Sequence, residues 1–277
     1  MGPVLDVAGV SVPRLGLGTW PLAGETCARA VEAALALGYR HVDTAEMYGN
    51  EREVGEGLRA SGVARKDVFL TSKVWHEHLA PDAMMRAAEG SLERLGIDRL
   101  DLFLIHWPSR EVPVREAVRG LCAVHARGLA RAVGISNFPV ALVEEAVAAA
   151  SVQLAVNQVE YHPYLDQSAV RAVLARHGMG LTAYCPLARG KVLDEPVIVA
   201  IAKRLGTSAA AVTIAWLLAQ EGVVAIPKSA SPERLGENLA ALDVRLTAQD
   251  VAAIDRLAQP DGRLIDPEFA PAWDAAA

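Results

Sequence analysis

A chain of 277 residues that is 52% hydrophobic and carries a formal net charge of −6 has apolar material for one large α/β core, which argues against disorder. Its mild acidity gives no reason to expect nucleic acid or an anionic membrane as partner; no basic n-region opens the sequence, and no run of about 18 apolar residues exists to span a bilayer. The cysteines, Cys27, Cys122 and Cys185, are odd in number and widely spaced, which argues against a disulfide framework or a Cys-based zinc site and makes the cytoplasm the expected compartment.

The first predicted element is a hairpin over residues 4–13, "VLDVAGVSVP". Eight short β-branched or aliphatic runs follow: "RLGLGTW" from residue 14, "YRHVDTA" from 39, "VFLTSKV" from 68, "LDLFLIHW" from 100, "ARAVGISN" from 130, "LAVNQVEY" from 154, "MGLTAYCP" from 179 and "VVAIPKS" from 223. Helical patterns lie between them. "NEREVGEGLRA" follows the second run; after the fourth, Val114, Ala117, Val118 and Leu121 keep helical spacing until Gly128 closes the segment. Beyond the eighth, Ser231 is placed to cap a helix beginning at Pro232, and a last helix starts at Thr247 with an acidic first turn. No Pro/Gly/Ser-rich linker interrupts the chain, so residues 1–277 read as a single domain. Eight strands alternating with helices predict a (β/α)8 TIM barrel, its bottom closed by the hairpin. A doubly wound open sheet competes, but such a sheet usually carries a G-x-G-x-x-G turn after its first strand when it binds a dinucleotide. Here "GLGTWPLAG" breaks that pattern and "VGEGLRASG" sits within a helix.

Barrel chemistry gathers at the C-terminal ends of the strands. Asp43 ends the second run, Lys73 the third and His106 the fourth, and Tyr48 lies just beyond Asp43. If these strand-end residues face inward, period two puts His41, Thr71 and Leu104 inside the barrel below them. A free tyrosine, with a pKa of roughly 10, is a poor acid at neutral pH. A Lys73 ammonium beside Tyr48 is expected to lower that value, with Asp43 keeping the lysine charged and in place. Neutral His106 is suited to orient a carbonyl by hydrogen bonding. A buried Asp–Lys pair with satisfied neighbours explains any one of these residues; four at matching strand ends favour a site. Further on, Lys228, Ser229 and Arg234 flank the N-terminus of the Ser231-capped helix and make a candidate phosphate site; taken alone, the motif is better explained as an ordinary solvated, capped helix. Arg234, Glu237 and Asn238 share one face of that helix.

With the motifs "GYRHVDTAEMYGNE", "SKVW", "LIHWP", "GISNF", "NQVEYHPYL", "AYCPLARG" and "IPKSASPERLGEN" in this order, the chain resembles the aldo-keto reductases from "GLGTW" to the final "APAWD". The resemblance implies NADPH as cofactor, hydride transfer to a carbonyl, and Tyr48 as proton donor in a tetrad with Asp43, Lys73 and His106. It implies that Ser136, Asn137 and Gln158 hold the nicotinamide carboxamide while Tyr184 stacks on the ring. It assigns the basic residues Lys228 and Arg234 to the 2′-phosphate, and Glu237 and Asn238 to the adenine. A monomer is expected, with a small carbonyl compound as its partner.

Trp20, Trp75 and Trp107 follow strand ends and offer aromatic walls for that carbonyl. The tail "GRLIDPEFAPAWD" is too short for a long lid; it carries Phe269 and Trp273 over the mouth. It resembles the tail of the bacterial 2,5-diketo-D-gluconic acid reductase B group within the family, which implies activated aldehydes, methylglyoxal-like α-dicarbonyls and keto-sugar acids as substrates. Two rivals remain at this level. "WHEHL" places His76 and His78 as an H-x-H pair for a metal-dependent barrel hydrolase, although further ligands would have to converge and no metal is expected. A barrel that binds NADPH only as a regulatory sensor is the other.

Overall fold

In the computed structural model, which describes residues 2–274, the eight runs form one parallel sheet whose neighbours follow chain order throughout. β1 (Val4–Val7) and β2 (Val10–Pro13) pair antiparallel as the expected hairpin. The sheet then comprises β3 (Leu17–Gly18), β4 (His41–Asp43), β5 (Phe69–Val74) and β6 (Leu100–Ile105). It continues through β7 (Ala130–Ser136), β8 (Val156–Glu160), β9 (Gly180–Tyr184) and β10 (Val223–Ala225). The ends meet: the Gly16 and Gly18 amides donate to the Ala225 and Pro227 carbonyls at 2.9 and 3.1 Å, and the Ala225 amide donates to Arg14 at 2.8 Å. The barrel is thereby closed. The first run contributes only two residues of regular strand, because the chain at this seam runs against the other wall. A Cβ at Gly18 would stand 2.6 Å from the Ile226 carbonyl oxygen, so only glycine fits.

Helices follow the strands: α1 (Gly24–Leu37), α2 (Glu51–Ala60), α3 (Pro81–Leu95), α4 (Val114–Ala126), α5 (Val140–Ala149) and α6 (Ser168–Arg176). Then come α7 (Pro196–Leu205), α8 (Ala209–Ala219), α9 (Pro232–Leu239) and α10 (Ala248–Asp255). The α4 stripe Val114, Ala117, Val118 and Leu121 is buried, as its spacing predicts. The Thr247 hydroxyl and the Asp250 carboxylate form a capping box at the start of α10. In α2, a side chain at Gly55 would collide with the Leu95 carbonyl that ends α3. Its glycines therefore serve close helix packing and make no phosphate loop.

Outward strand residues such as Leu70, Phe103 and Ile105 join helical Val31, Leu95 and Leu121 in the main core. Inside the barrel, Phe69, Leu102, Leu104, Val156 and Val224 meet Val7, Val10 and Val12 of the hairpin. Phe69 and Val156 are the first residues of their strands, so the hairpin seals the N-terminal end of the barrel. Burying each such valine contributes about 1.5–3 kcal/mol. Among the described residues no single helix is long and apolar enough to cross a membrane; the apolar pair α7 and α8 is bent by 96°, and α8 is largely buried.

Candidate active site

Strand register brings the polar side chains together. Asp43 pairs with Thr71, Lys73 pairs with Leu104, and the His106 amide donates to the Val74 carbonyl at 3.0 Å just beyond β6. His41 Nε2 lies 3.2 Å from Thr71 Oγ1 inside the barrel, one layer below, as period two requires. Above them, Lys73 Nζ donates to Asp43 Oδ1 at 2.6 Å, to the Thr44 carbonyl at 2.8 Å and to the Tyr48 hydroxyl at 3.3 Å. Gln158 Nε2 donates to the other Asp43 oxygen at 2.7 Å. The His106 ring stands edge-on to Tyr48, with ring centroids 5.5 Å apart. The four predicted residues thus form one cluster.

Tyr48 ends a 3₁₀ turn, Glu46–Tyr48, between β4 and α2. Thr44 Oγ1 donates to Asn50 Oδ1 at 2.6 Å, and Asn50 Nδ2 donates to the Thr19 and Leu22 carbonyls at 3.3 and 2.9 Å. Buried Glu51 accepts from Ser72 at 2.5 Å and from Arg94 Nε at 2.7 Å. Glu46 accepts from the Trp75 amide at 3.0 Å and pairs with His78 at 2.9 Å. The phenol is therefore pinned on both sides of its turn. These anchors stand inside the quoted motif, but their partners lie 6 to 43 residues away, so spacing alone did not reveal them.

Electrostatics corrects one expectation. Tyr48 is held well above the ordinary tyrosine value, first by burial and then by the Asp43 charge. Burial and the Asp43 charge therefore outweigh the lowering expected from the Lys73 ammonium, which donates to the phenol oxygen at 3.3 Å. Burial pulls Lys73 below the usual lysine value while Asp43 opposes that shift. His106 is pushed well below the usual histidine value, mainly by burial and then by Lys73 and His76, so its imidazole is neutral as anticipated. Its Nδ1 is buried with no hydrogen-bond partner among the described residues.

A cleft of about 1170 Å³ runs from this cluster to the N-terminus of α9. Asn137, Gln158 and Tyr184 line it near the cluster, and the Tyr184 hydroxyl donates to Asn137 Oδ1 at 2.7 Å. Ser136 is the exception. Its hydroxyl turns away to donate to the Gln158 carbonyl at 2.7 Å, and the residue is fully buried outside the cleft wall. At the far end stand Lys228, Ser229, Arg234, Glu237 and Asn238; Arg189, which the sequence did not single out, also lines the cleft. Ser231 accepts from the Arg234 amide as the expected cap. Among the described residues, neither Lys228 nor Arg234 forms a salt bridge, so both charges and the helix N-terminus are available to an anion. Polar side chains beside the cluster and unpaired cations at the far end fit a nicotinamide dinucleotide lying along the cleft.

Aromatic rings frame the other side. Trp20 lies 5.1 Å from Tyr48, Trp75 lies 5.3 Å from His106, and Phe269 meets Trp75 and Trp107 edge-on at 5.4 and 5.5 Å. Trp273 is set back, 6.0 Å from Trp107 and outside the cleft wall. His76 stacks on Phe269 at 4.4 Å, while His78 turns to Glu46. The H-x-H pair is thus divided between two other tasks, and among the described residues no group of three or more His, Cys, Asp or Glu side chains is placed to hold a metal ion. His162 is fully buried against Glu160, shaping a loop with no exposure.

The profile of the Aldo/keto reductase family matches residues 14–259. The chain is 42% identical to the methylglyoxal reductase DkgB of Escherichia coli O157:H7 over 269 residues, covering 96% of this chain and 100% of that protein. It is 42% identical to the glyoxal reductase of Bacillus subtilis strain 168 over 250 residues, 90% of each. A crystal structure provisionally named a 2,5-diketo-D-gluconic acid reductase B superposes with a TM-score of 0.97 at 44% identity, over 99% of this chain and 98% of that one. A Bombyx mori aldo-keto reductase in complex with NADP gives 0.90 at 29% identity, over 98% and 99%.

Proposed function

We propose, from the premise that this chain belongs to the aldo/keto reductase family and is an oxidoreductase acting on carbonyl groups, that it reduces small activated carbonyls to alcohols with NADPH supplying the hydride. Methylglyoxal-like dicarbonyls are the first substrate class, and keto-sugar acids the second. One observation carries the reading: Lys73 joins the Asp43 carboxylate to the Tyr48 hydroxyl at the wall of a cleft whose far end holds unpaired Lys228 and Arg234. Tyr48, kept protonated by its surroundings, donates its proton to the carbonyl oxygen. Neutral His106 orients that oxygen, and Lys73 and Asp43 fix the phenol. Asn137 and Gln158 hold the carboxamide, Tyr184 stacks on the ring, and Ser136 acts by placing Gln158. Lys228, Ser229 and Arg234 hold the 2′-phosphate, with Glu237 and Asn238 at the adenine. The protein works as one barrel domain, a monomer in the cytoplasm. Oxidation of NADPH in the presence of methylglyoxal tests the reading; tight NADPH binding without turnover would favour a sensor.

The 2′-phosphate assignment is tested separately. A charged hydrogen bond is worth roughly 1.5–3 kcal/mol, so Arg234→Ala is expected to weaken NADPH about 10- to 150-fold and NADH much less. Dissociation constants for both cofactors at fixed ionic strength decide it, since exposed Arg234 is open to salt screening. Equal losses would move Arg234 from the phosphate to the fold.

The tail is assigned to substrate choice. Ending the chain at Asp261 removes Phe269 from its contacts with Trp75, His76 and Trp107 and leaves the tetrad contacts untouched. Relative kcat/KM across a panel of carbonyls is expected to change. An unaltered ranking would take the tail out of the pocket.

A further inference from the structure

Glu160 takes no part in the chemistry above, yet its carboxylate is fully buried at the last position of β8 with both oxygens engaged. Oε1 accepts from the Leu264 amide at 2.8 Å and from His162 Nε2 at 2.9 Å; Oε2 accepts from the Ile265 amide at 3.0 Å. Arg263 Nη1 lies 3.9 Å from Oε2, and its guanidinium sits 3.6 Å over the Trp273 ring. Just upstream, Gly262 passes so near the Tyr164 carbonyl that any side chain there would collide with it. From Arg263 to Asp274 the tail has no helix or strand, so side-chain contacts must fix its path. Amide-to-carboxylate bonds are charge-assisted and about twice as strong as neutral ones, and burial removes water as a competitor. Leu264, Ile265 and Phe269 all line the cleft; Glu160 fixes the first two, and Arg110 Nη2 holds the turn at Phe269 by donating to the Glu268 and Ala270 carbonyls at 2.5 and 3.4 Å.

We propose that Glu160 is a specificity-determining positioning residue: it latches the start of the tail at the mouth and, together with Arg110 at the Phe269 turn, sets the distance of Phe269 from the reacting carbonyl. The inference rests on reading the cleft as a carbonyl-reducing site. A small dicarbonyl seated against the tetrad feels the latch little. An aromatic aldehyde reaching the Phe269 wall depends on it.

Glu160→Gln keeps the size of the side chain but removes its charge and one acceptor. With 4-nitrobenzaldehyde, kcat/KM is expected to fall on the order of tenfold, through KM, while methylglyoxal stays within about twofold. In the chain ending at Asp261 the same substitution should have no further effect, the signature of two changes acting through one element. Trypsin cleavage after Arg263, followed by mass spectrometry, should accelerate in Glu160→Gln. Ile265→Pro deletes the N–H that Oε2 accepts, leaves Glu160 in place and should act in the same direction, which covers a Gln variant that fails to fold. Equal losses for both aldehydes, an undiminished effect in the shortened chain, or unchanged cleavage would each overturn the proposal. A wild-type protein that reduces neither aldehyde would defeat the carbonyl-reductase reading instead, and the trypsin comparison would still decide the latch.

Discussion

Tyr48→Phe is expected to fold, to bind NADPH as the wild type does, and to reduce methylglyoxal about 10²–10⁴-fold more slowly, the usual loss on removing a general acid. The ring keeps its neighbours: Trp20 at 5.1 Å, His106 at 5.5 Å, and the Lys73 ammonium 4.8 Å from its centroid. Only the hydroxyl goes, with its hydrogen bond of 3.3 Å to Lys73. Because burial and Asp43 hold the phenol above its ordinary value, the proton is present throughout the neutral range. The rate should therefore fall through kcat with little change in cofactor affinity. Near wild-type turnover by the folded variant would strip Tyr48 of its role.

Asp43→Ala should be the most destabilising single change in the site. Both members of the Asp43–Lys73 pair are almost completely buried, and removing one partner of such a pair costs about 3–5 kcal/mol because the other charge is stranded. The same change leaves Gln158 Nε2 without its acceptor and frees Lys73 from one of its three bonds. Urea denaturation should show a large drop in midpoint with little change in slope. Adding Lys73→Met removes the stranded charge, so the double variant should recover part of the loss while remaining inactive. If Asp43→Ala proved as stable as the wild type, Lys73 would have shed its proton or been reached by water, and the buried charge pair would not be holding the site together.

The barrel was legible because its eight strand runs alternate with helices of clear period, and the tetrad because its members fall at corresponding strand ends. What sequence could not supply was the sum of opposing fields. Lys73 beside Tyr48 reads as an acidifying neighbour, but burial and the Asp43 charge act in the opposite direction and prevail. Ser136 reads as a donor into the cleft, but its hydroxyl finds the Gln158 carbonyl one strand away. Glu160 carries no local signal at all, since its amide partners lie 104 and 105 residues later in a segment without regular structure. Periodicity reports which face a residue takes. It does not report which distant backbone group will arrive there.

The valines of the N-terminal hairpin, packed against Phe69, Leu102 and Val156, cork the barrel from below. A cylinder filled and corked in this way turns its chemistry to one end, and exchange with solvent takes place at the cleft over the strand ends. Whatever seats at the floor must be loaded before anything that covers it, and can leave only after the cover has gone. Slow departure of an outer molecule would then hold back an inner one it never touches. Changes at the rim should accordingly be felt as altered residence times as well as altered fit.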